Sequence, residues 1–212
     1  VNGVQHLLPK QPSLSIRVQH HPAMPWRIIP NFVKDHIAEA DNVSRALLLF
    51  VILTAVRSGE ARHAHWTEFD LKQKVWTIPA DRMKAKALHR VPLSKPVMKL
   101  LETQKKRSKH NLVFPSHRAN NALTDMALTS FLRKHNAISD FPGRTATAHG
   151  FRSSFRDWAS ENSYARDLAE RALAHTIKNA AEAAYHRTDL LDKRRDMMEA
   201  WADFITYEIA TF

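Results

Sequence analysis

Tyr185 stands ten residues after His175 in the stretch "LAHTIKNAAEAAYHRTD" (173–189), and the chain has only three tyrosines. A phenol is a poor nucleophile at neutral pH because its pKa is about 10. Nearby cations lower that value and favour the phenolate. A tyrosine set among arginines, histidines and a lysine is therefore suited to attack at phosphorus. The same residue also reads as an amphipathic side chain with a packed ring and a wet hydroxyl.

Three further stretches hold the other reactive groups. In "TAVRSGEARHAHW", Arg57 closes an apolar run and is followed by Ser58, Gly59 and Glu60. It reads as a cation at a helix C-terminus with Gly59 in the turn. It reads equally as a guanidinium held at the core's edge for bidentate phosphate recognition, with Glu60 to orient it. In "ATAHGFRSSFRDWASE", His149 and Arg152 are three apart and share a helix face, while Phe151, Phe155 and Trp158 form the core stripe. The helix start beside Thr147 offers backbone donors to an anion. In "MKAKALHRVPLS", Lys84 and Lys86 fall in a hairpin turn. They are either cations guarding an exposed edge or mobile ammonium groups able to reach a polyanion and give up a proton.

Several chemistries are excluded. There is no cysteine, hence no thiol nucleophile and no cysteine-held zinc. The pairs His20–His21 and His63–His65 lack the carboxylate–histidine spacing of known metal sites. With four glycines in all, neither a phosphate-cradling loop nor a dinucleotide fingerprint can be built. The apolar run Ala46 to Val56 is about half the length that crosses a bilayer and is closed by Arg45 and Arg57, so it reads as a buried helix. No signal-peptide pattern opens the chain. A soluble, intracellular protein is expected.

The elements that must carry these residues follow from periodicity. Half of the ten prolines fall within the first thirty residues, so 1–29 reads as a linker and 30–212 as one domain. "IPNFVKDHIAEA" begins a short helix, and "NVSRALLLFVILTAV" a long apolar one. Runs 75–78 and 90–93 predict a small antiparallel sheet of two or three strands. Helices are expected over about 95–107, 124–135, 149–161, 165–174, 178–187 and 190–209. The fold class is mainly α with a small antiparallel β-sheet. In the last helix Leu190, Leu191, Met197, Met198, Trp201 and Phe204 form a stripe that serves either the core or a neighbouring subunit.

Charge points to a class of partner. The chain carries a formal +11 with a pI near 10.1. Between Met83 and Arg118 there are ten Lys/Arg against one acid, Glu102, which concentrates +9 in that segment. Such a patch favours a polyanion, usually nucleic acid, through phosphate contacts and counterion release, and it reads alternatively as a solvated helix face kept soluble by its lysines. Lys86, Arg90, Lys105, Lys106, Arg107 and Lys109 are the candidate DNA contacts.

Each motif is weak alone, but their order is specific. R-S-G-E after an apolar helix, a lysine in a hairpin ending "VPLS", H-x-x-R, a histidine and then a tyrosine together resemble the catalytic domain of a tyrosine recombinase, of the phage integrase family. "HHPAMPW", "VWTIPADRMK", "HRVPLS" and "AEAAYHR" extend the likeness over about residues 20–205, toward the branch encoded by prophages and genomic islands. The resemblance implies the tyrosine recombinase catalytic-domain fold and site-specific, metal-independent DNA strand transfer without a cofactor. It implies Tyr185 as nucleophile forming a 3′-phosphotyrosyl bond, Arg57, Arg152 and His175 on the scissile phosphate, His149 as base or phosphate contact, and Glu60 in support. Lys84 is implied as general acid, with Lys86 as the alternative. Ala174 replaces a glycine common before this histidine. Also implied are double-stranded attachment sites, a homotetramer on DNA from free monomers, and a nucleoid-associated location in the bacterial cytoplasm. N-terminal DNA-binding domains are expected upstream. A type IB topoisomerase-like enzyme and an inert DNA-binding relic are the rival readings.

Overall fold

A central helix organises the domain. In the computed structural model, which describes residues 20–38, 42–107, 109–116, 121–175, 188–207 and 209, α2 spans Val43–Thr54. Its start is fixed by Asn42, whose side chain accepts a hydrogen bond from Arg45 N at 2.9 Å. Every residue from Ala46 to Thr54 is buried, so this helix is covered on all sides, as its unbroken apolar run requires. It ends at Ala55, a non-glycine residue in the left-handed region (φ 54°) whose N–H bonds to Val51 O. That conformation costs about 1 kcal/mol and turns the chain sharply into α3, Ser58–Arg62.

Around α2 lie α1 (Ile29–His36), α4 (Lys95–Arg107), α5 (Met126–Lys134), α6 (Gly150–Glu161), α7 (Arg166–Ala172) and α8 (Leu191–Thr206). The sheet is three-stranded and antiparallel, β1 (Phe69–Asp70), β2 (Val75–Ile78) and β3 (His89–Pro92), in the order β1-β2-β3. Trp76 pairs with Val91 and Ile78 with His89, and the Phe69 and Trp76 rings stack at 5.3 Å. The helices and sheet expected from sequence are present within a few residues of their predicted ends. The helix expected over 178–187 lies outside the described residues.

The stripe on α8 belongs to the core. Met197, Met198, Trp201, Ala202 and Ile205 are buried, and Trp201 Nε1 donates to Ile52 O on α2 at 2.8 Å. Phe155, Trp158, Trp201 and Phe204 form one aromatic cluster between α6 and α8.

Residues 22–29, read from sequence as the end of a linker, are part of the packed body. Pro22 O accepts from Thr147 N (3.0 Å), Met24 O from Ser154 Oγ (2.5 Å), and Ala23 exchanges bonds with Asp140. Gly150 explains this contact: a Cβ there would stand 2.1 Å from Pro22 O and 2.8 Å from Ala23 Cα. Residues 22–25 form a strap whose backbone groups find long-range partners, and Trp26–Ile28 make a single 3-10 turn that leads into α1, instead of a solvated spacer.

Candidate active site

Arg152 lies in the first turn of α6 and is only 4% exposed. Its Nη1 donates to Ala55 O at 2.6 Å and its Nη2 to Leu173 O at 2.7 Å. Both carbonyls sit at helix C-caps, of α2 and α7, where unpaired acceptors and the negative dipole end are concentrated. Two helix ends thus hold one buried cation. Burial pushes its pKa down to about 10, with Arg57 pushing the same way and Glu60 and Glu170 opposing. It therefore stays charged at neutral pH.

Arg57 occupies the N-cap of α3 with one quarter of its side chain exposed. Glu60, almost wholly buried, accepts from Arg57 Nη1 at 2.8 Å through one oxygen and from Arg57 N at 2.9 Å through the other. The carboxylate locks the guanidinium to the backbone that carries it. Two arginines whose charges oppose each other, one of them immobilised and the other bound to a buried acid, form a site ready for an anion.

Two histidines border them. His149 is the N-cap of α6, and its ring lies 4.3 Å from that of His21. Partial burial, then His21, Arg152, Arg57 and His175, lower its pKa to about 4, so it is neutral and an acceptor near pH 7. His175 follows α7 with Nε2 3.2 Å from Arg152 Nη2 and Nδ1 against a carboxylate oxygen of Glu170. The preceding Ala174 has φ 48°, the left-handed region that glycine adopts without cost, which is why glycine suits this position.

The phage integrase family pattern matches residues 28–190. The chain belongs to the phage integrase family. The prophage integrase IntA of Escherichia coli K12 is 35% identical over 164 residues, covering 76% of this chain and 38% of its own length. The integrase of enterobacteria phage P4 is 35% identical over 206 residues, covering 89% and 46% respectively. The chain thus spans less than half the length of these curated relatives. Among solved structures, the integrase from mycobacterium phage Brujita superposes with a TM-score of 0.62 at 16% identity, covering 96% of this chain and 66% of that one. A lambda integrase tetramer bound to a Holliday junction gives 0.54 at 15%, covering 81% and 50%. At such identities the likeness is one of fold, the tyrosine recombinase catalytic domain.

In this integrase-family domain the structure brings Arg57, Glu60, His149, Arg152 and His175 together. Tyr185 lies outside the described residues. Lys84 is exposed in the connection 79–88 between β2 and β3, and Lys86 beside it has φ 52° with its Nζ 3.4 Å from Asp81 O. Arg82 ties the base of this connection to the site, since its guanidinium meets both Glu68 and the backbone carbonyl of Glu60.

The expected DNA contacts divide. Lys105, Lys106 and Arg107 are exposed in the last turn of α4, with Lys105 Nζ 5.8 Å from the Trp66 ring, and Lys109 is exposed just after. Arg90 is already paired. Its guanidinium pairs with Asp189 through Nε at 2.8 Å and Nη2 at 2.6 Å, so its charge is engaged within the domain. Asp189 also binds Arg194, which is 1% exposed, at 2.9 Å.

Three residues went unread in the sequence. Glu170 carried a signal only in its five-residue spacing from His175. His89 faces inward from β3 in the alternation of "HRVP", 8% exposed. Burial, then Arg194, lower its pKa to about 4 against a hydrogen bond with the Ala172 backbone, with Arg152 and Arg57 adding to the fall. Arg82 resembled one more surface cation. Among the described residues no three of His, Asp and Glu converge as a metal site requires, and no helix is long and apolar enough to cross a membrane.

Proposed function

We propose that this domain is the catalytic part of a site-specific DNA recombinase that cuts and rejoins DNA through a 3′-phosphotyrosyl intermediate. The observation that carries the reading is the Arg57–Arg152 pair: two guanidinia, one fixed by two helix C-caps and one by Glu60, beside two histidines. Preorganised cations of this kind stabilise charge on a phosphoryl group as it passes through substitution, with no reorganisation at the moment of reaction.

In this reading Arg57 and Arg152 grip the non-bridging oxygens of the scissile phosphate. The Tyr185 oxygen attacks phosphorus, a P–O bond to tyrosine forms, and the bond to the 5′ oxygen breaks. Lys84 gives its proton to that leaving oxygen, and the tethering of its connection through Arg82 to Glu60 supports this assignment over a freely moving loop. His149, neutral at physiological pH, is suited to accept the tyrosine proton. His175 donates a hydrogen bond to the phosphate. One phosphodiester is exchanged for another, so bond energy is conserved in the protein–DNA link and the reverse attack reseals the strand. The partner is a double-stranded attachment site in a bacterial chromosome or its element, bound by four copies on two duplexes.

The test is covalent trapping. Protein carrying its upstream domains is mixed with nicked duplexes from the element's ends, denatured, and the adduct mapped by mass spectrometry. An adduct on Tyr185 that Tyr185→Phe abolishes, with DNA binding unchanged, is the expected result. An adduct elsewhere, or strand relaxation without exchange between duplexes, overturns the assignment.

A further inference from the structure

Glu170 touches two residues of the site's wall at once. It is half-buried on α7, with one carboxylate oxygen against His175 Nδ1 and the other accepting from Arg156 Nε at 2.9 Å. Arg166 Nε stands 3.8 Å away. Burial works against ionisation of its carboxyl, but the bonds from His175 and Arg156 outweigh it and hold the pKa below the usual carboxylate value. An ionised carboxylate only accepts, so the proton in the Glu170–His175 contact belongs to the ring, on Nδ1. On the ring's other edge Arg152 Nη2, which only donates, lies 3.2 Å from Nε2. An acceptor on one side and a donor on the other leave a single assignment for the neutral imidazole: N–H at Nδ1 and a lone pair at Nε2.

This creates a conflict with the hydrogen bond that His175 gives to phosphate in the proposed chemistry. In the DNA-free site the edge facing Arg152 is an acceptor. When phosphate oxygens take the Arg152 donors, Nε2 loses its partner and meets an anion. It becomes a donor only by taking up a second proton, and the resulting imidazolium then lies between the phosphate and the Glu170 carboxylate.

We propose that Glu170 is a positioning residue and counter-ion for His175: it fixes the Nδ1–H form in the free site and neutralises the doubly protonated ring when phosphate is bound. The proposal rests on the recombinase reading for the identity of the anion, but not for the tautomer. Among the described residues, the charged and titratable groups around His175 are Glu170 and Arg166 on α7, Arg152 and Arg156 on α6, His149 at its N-cap, and Arg57 and Glu60 on α3. Arg156 matters because it claims the second Glu170 oxygen, which prevents the carboxylate from turning away.

Glu170→Gln is the informative change, because an amide has one acceptor end and cannot serve both N–H groups. With its oxygen on Arg156, its NH2 faces Nδ1 and forces the proton to Nε2, directly opposite an Arg152 donor. With its oxygen on Nδ1, it opposes Arg156 instead. Nitrogen-15 NMR of His175 in the full-length protein reads the tautomer directly. The expected spectrum is Nδ1–H in the DNA-free wild type, N–H at both positions on nicked duplex, and a mixed neutral tautomer in Glu170→Gln with and without DNA. Single-turnover adduct formation should fall about 10- to 100-fold, the range carried by partners that orient a histidine, with DNA affinity held within about threefold. Glu170→Asp keeps the charge and should recover part of the rate. A proton on Nε2 in the free wild type, a wild-type cleavage rate in Glu170→Gln, or equal losses in the Asp and Gln variants at equal melting temperature each overturn the proposal. If the wild type forms no adduct, the recombinase reading fails, while the spectrum of the free protein still decides the Glu170–His175 link.

Discussion

Arg152 reaches the carbonyl of Ala55, ninety-seven residues earlier in the chain, at 2.6 Å. This bond exists because Ala55 leaves the helix in a left-handed turn, which aims its carbonyl at α6 instead of along α2. One guanidinium therefore closes two helix ends and presents charge at the site. Arg152→Lys should separate these duties. Lysine keeps the charge but cannot reach Ala55 and Leu173 together with planar donors. A buried acceptor left unpaired costs about 1–3 kcal/mol, so a loss of about 2–4 kcal/mol is expected in urea unfolding. DNA binding should persist while adduct formation disappears. Full stability in the lysine variant would show that the carbonyl bonds are dispensable.

The two glycines of the site motifs should behave oppositely. A Cβ at Gly150 runs into the backbone of Pro22 and Ala23, whereas one at Gly59 meets nothing within 4 Å. Gly150→Ala forces the strap or α6 to move, and overpacking of this kind costs about 1–3 kcal/mol. Gly59→Ala, in the short α3, should leave stability unchanged or raise it by up to about 1 kcal/mol. Melting temperatures of the two variants check both. A neutral Gly150→Ala would mean that the strap is not packed on α6 in solution.

How much of this was visible in the sequence depends on the range of the interaction. The helices, the hairpin and the Arg57, His149 and Arg152 positions follow from local periodicity and spacing, which a reader can count. Glu170 could not be recognised, because its meaning depends on Arg156 from another helix as well as on His175. Arg90 looked like its basic neighbours, since nothing near it in sequence announces Asp189. The strap showed the reverse error: its prolines suggest an extended spacer, but they say nothing about whether the backbone finds partners, and Trp26–Ile28 turn as a 3-10 helix.

Stability should fall on mild acidification through His89. Its pKa is lowered to about 4 from 6.5, so between these values the unfolded chain binds a proton that the folded protein refuses. The stabilisation is complete above about pH 6.5 and is lost as pH falls toward 4. For this buried ring the full change is on the order of 3 kcal/mol. His149 shifts the same way and adds a smaller part, since its ring is only partly buried and solvent screens the rest. His89→Gln removes the titration, and its stability curve between pH 7 and 4 should be flatter than that of the wild type. Parallel curves would show that His89 ionises freely in the folded state.

Arg90 and Lys106 should respond differently to DNA although both are exposed cations of the same basic segment. The Arg90 charge is paired with Asp189, and Asp189 in turn holds the buried Arg194, which also donates to Arg90 O at 2.7 Å. Asp189 N-terminally borders α8 and C-terminally borders the tyrosine segment, whose Thr188 carbonyl is bound by Arg171 at 2.5 Å. Arg90→Ala should therefore leave the salt dependence of DNA binding unchanged and cost up to about 1 kcal/mol of stability, as for an exposed ion pair. Lys106→Ala should leave stability unchanged and lower the slope of log affinity against log salt by about 1, as for one lost phosphate contact. Asp189→Asn strips Arg194 of its counter-ion and should destabilise more than Arg90→Ala, because the uncompensated charge is buried. Binding titrations at several salt concentrations, with unfolding curves of the same proteins, decide all three. A reduced slope for Arg90→Ala would place its guanidinium on phosphate and show that DNA competes Asp189 away.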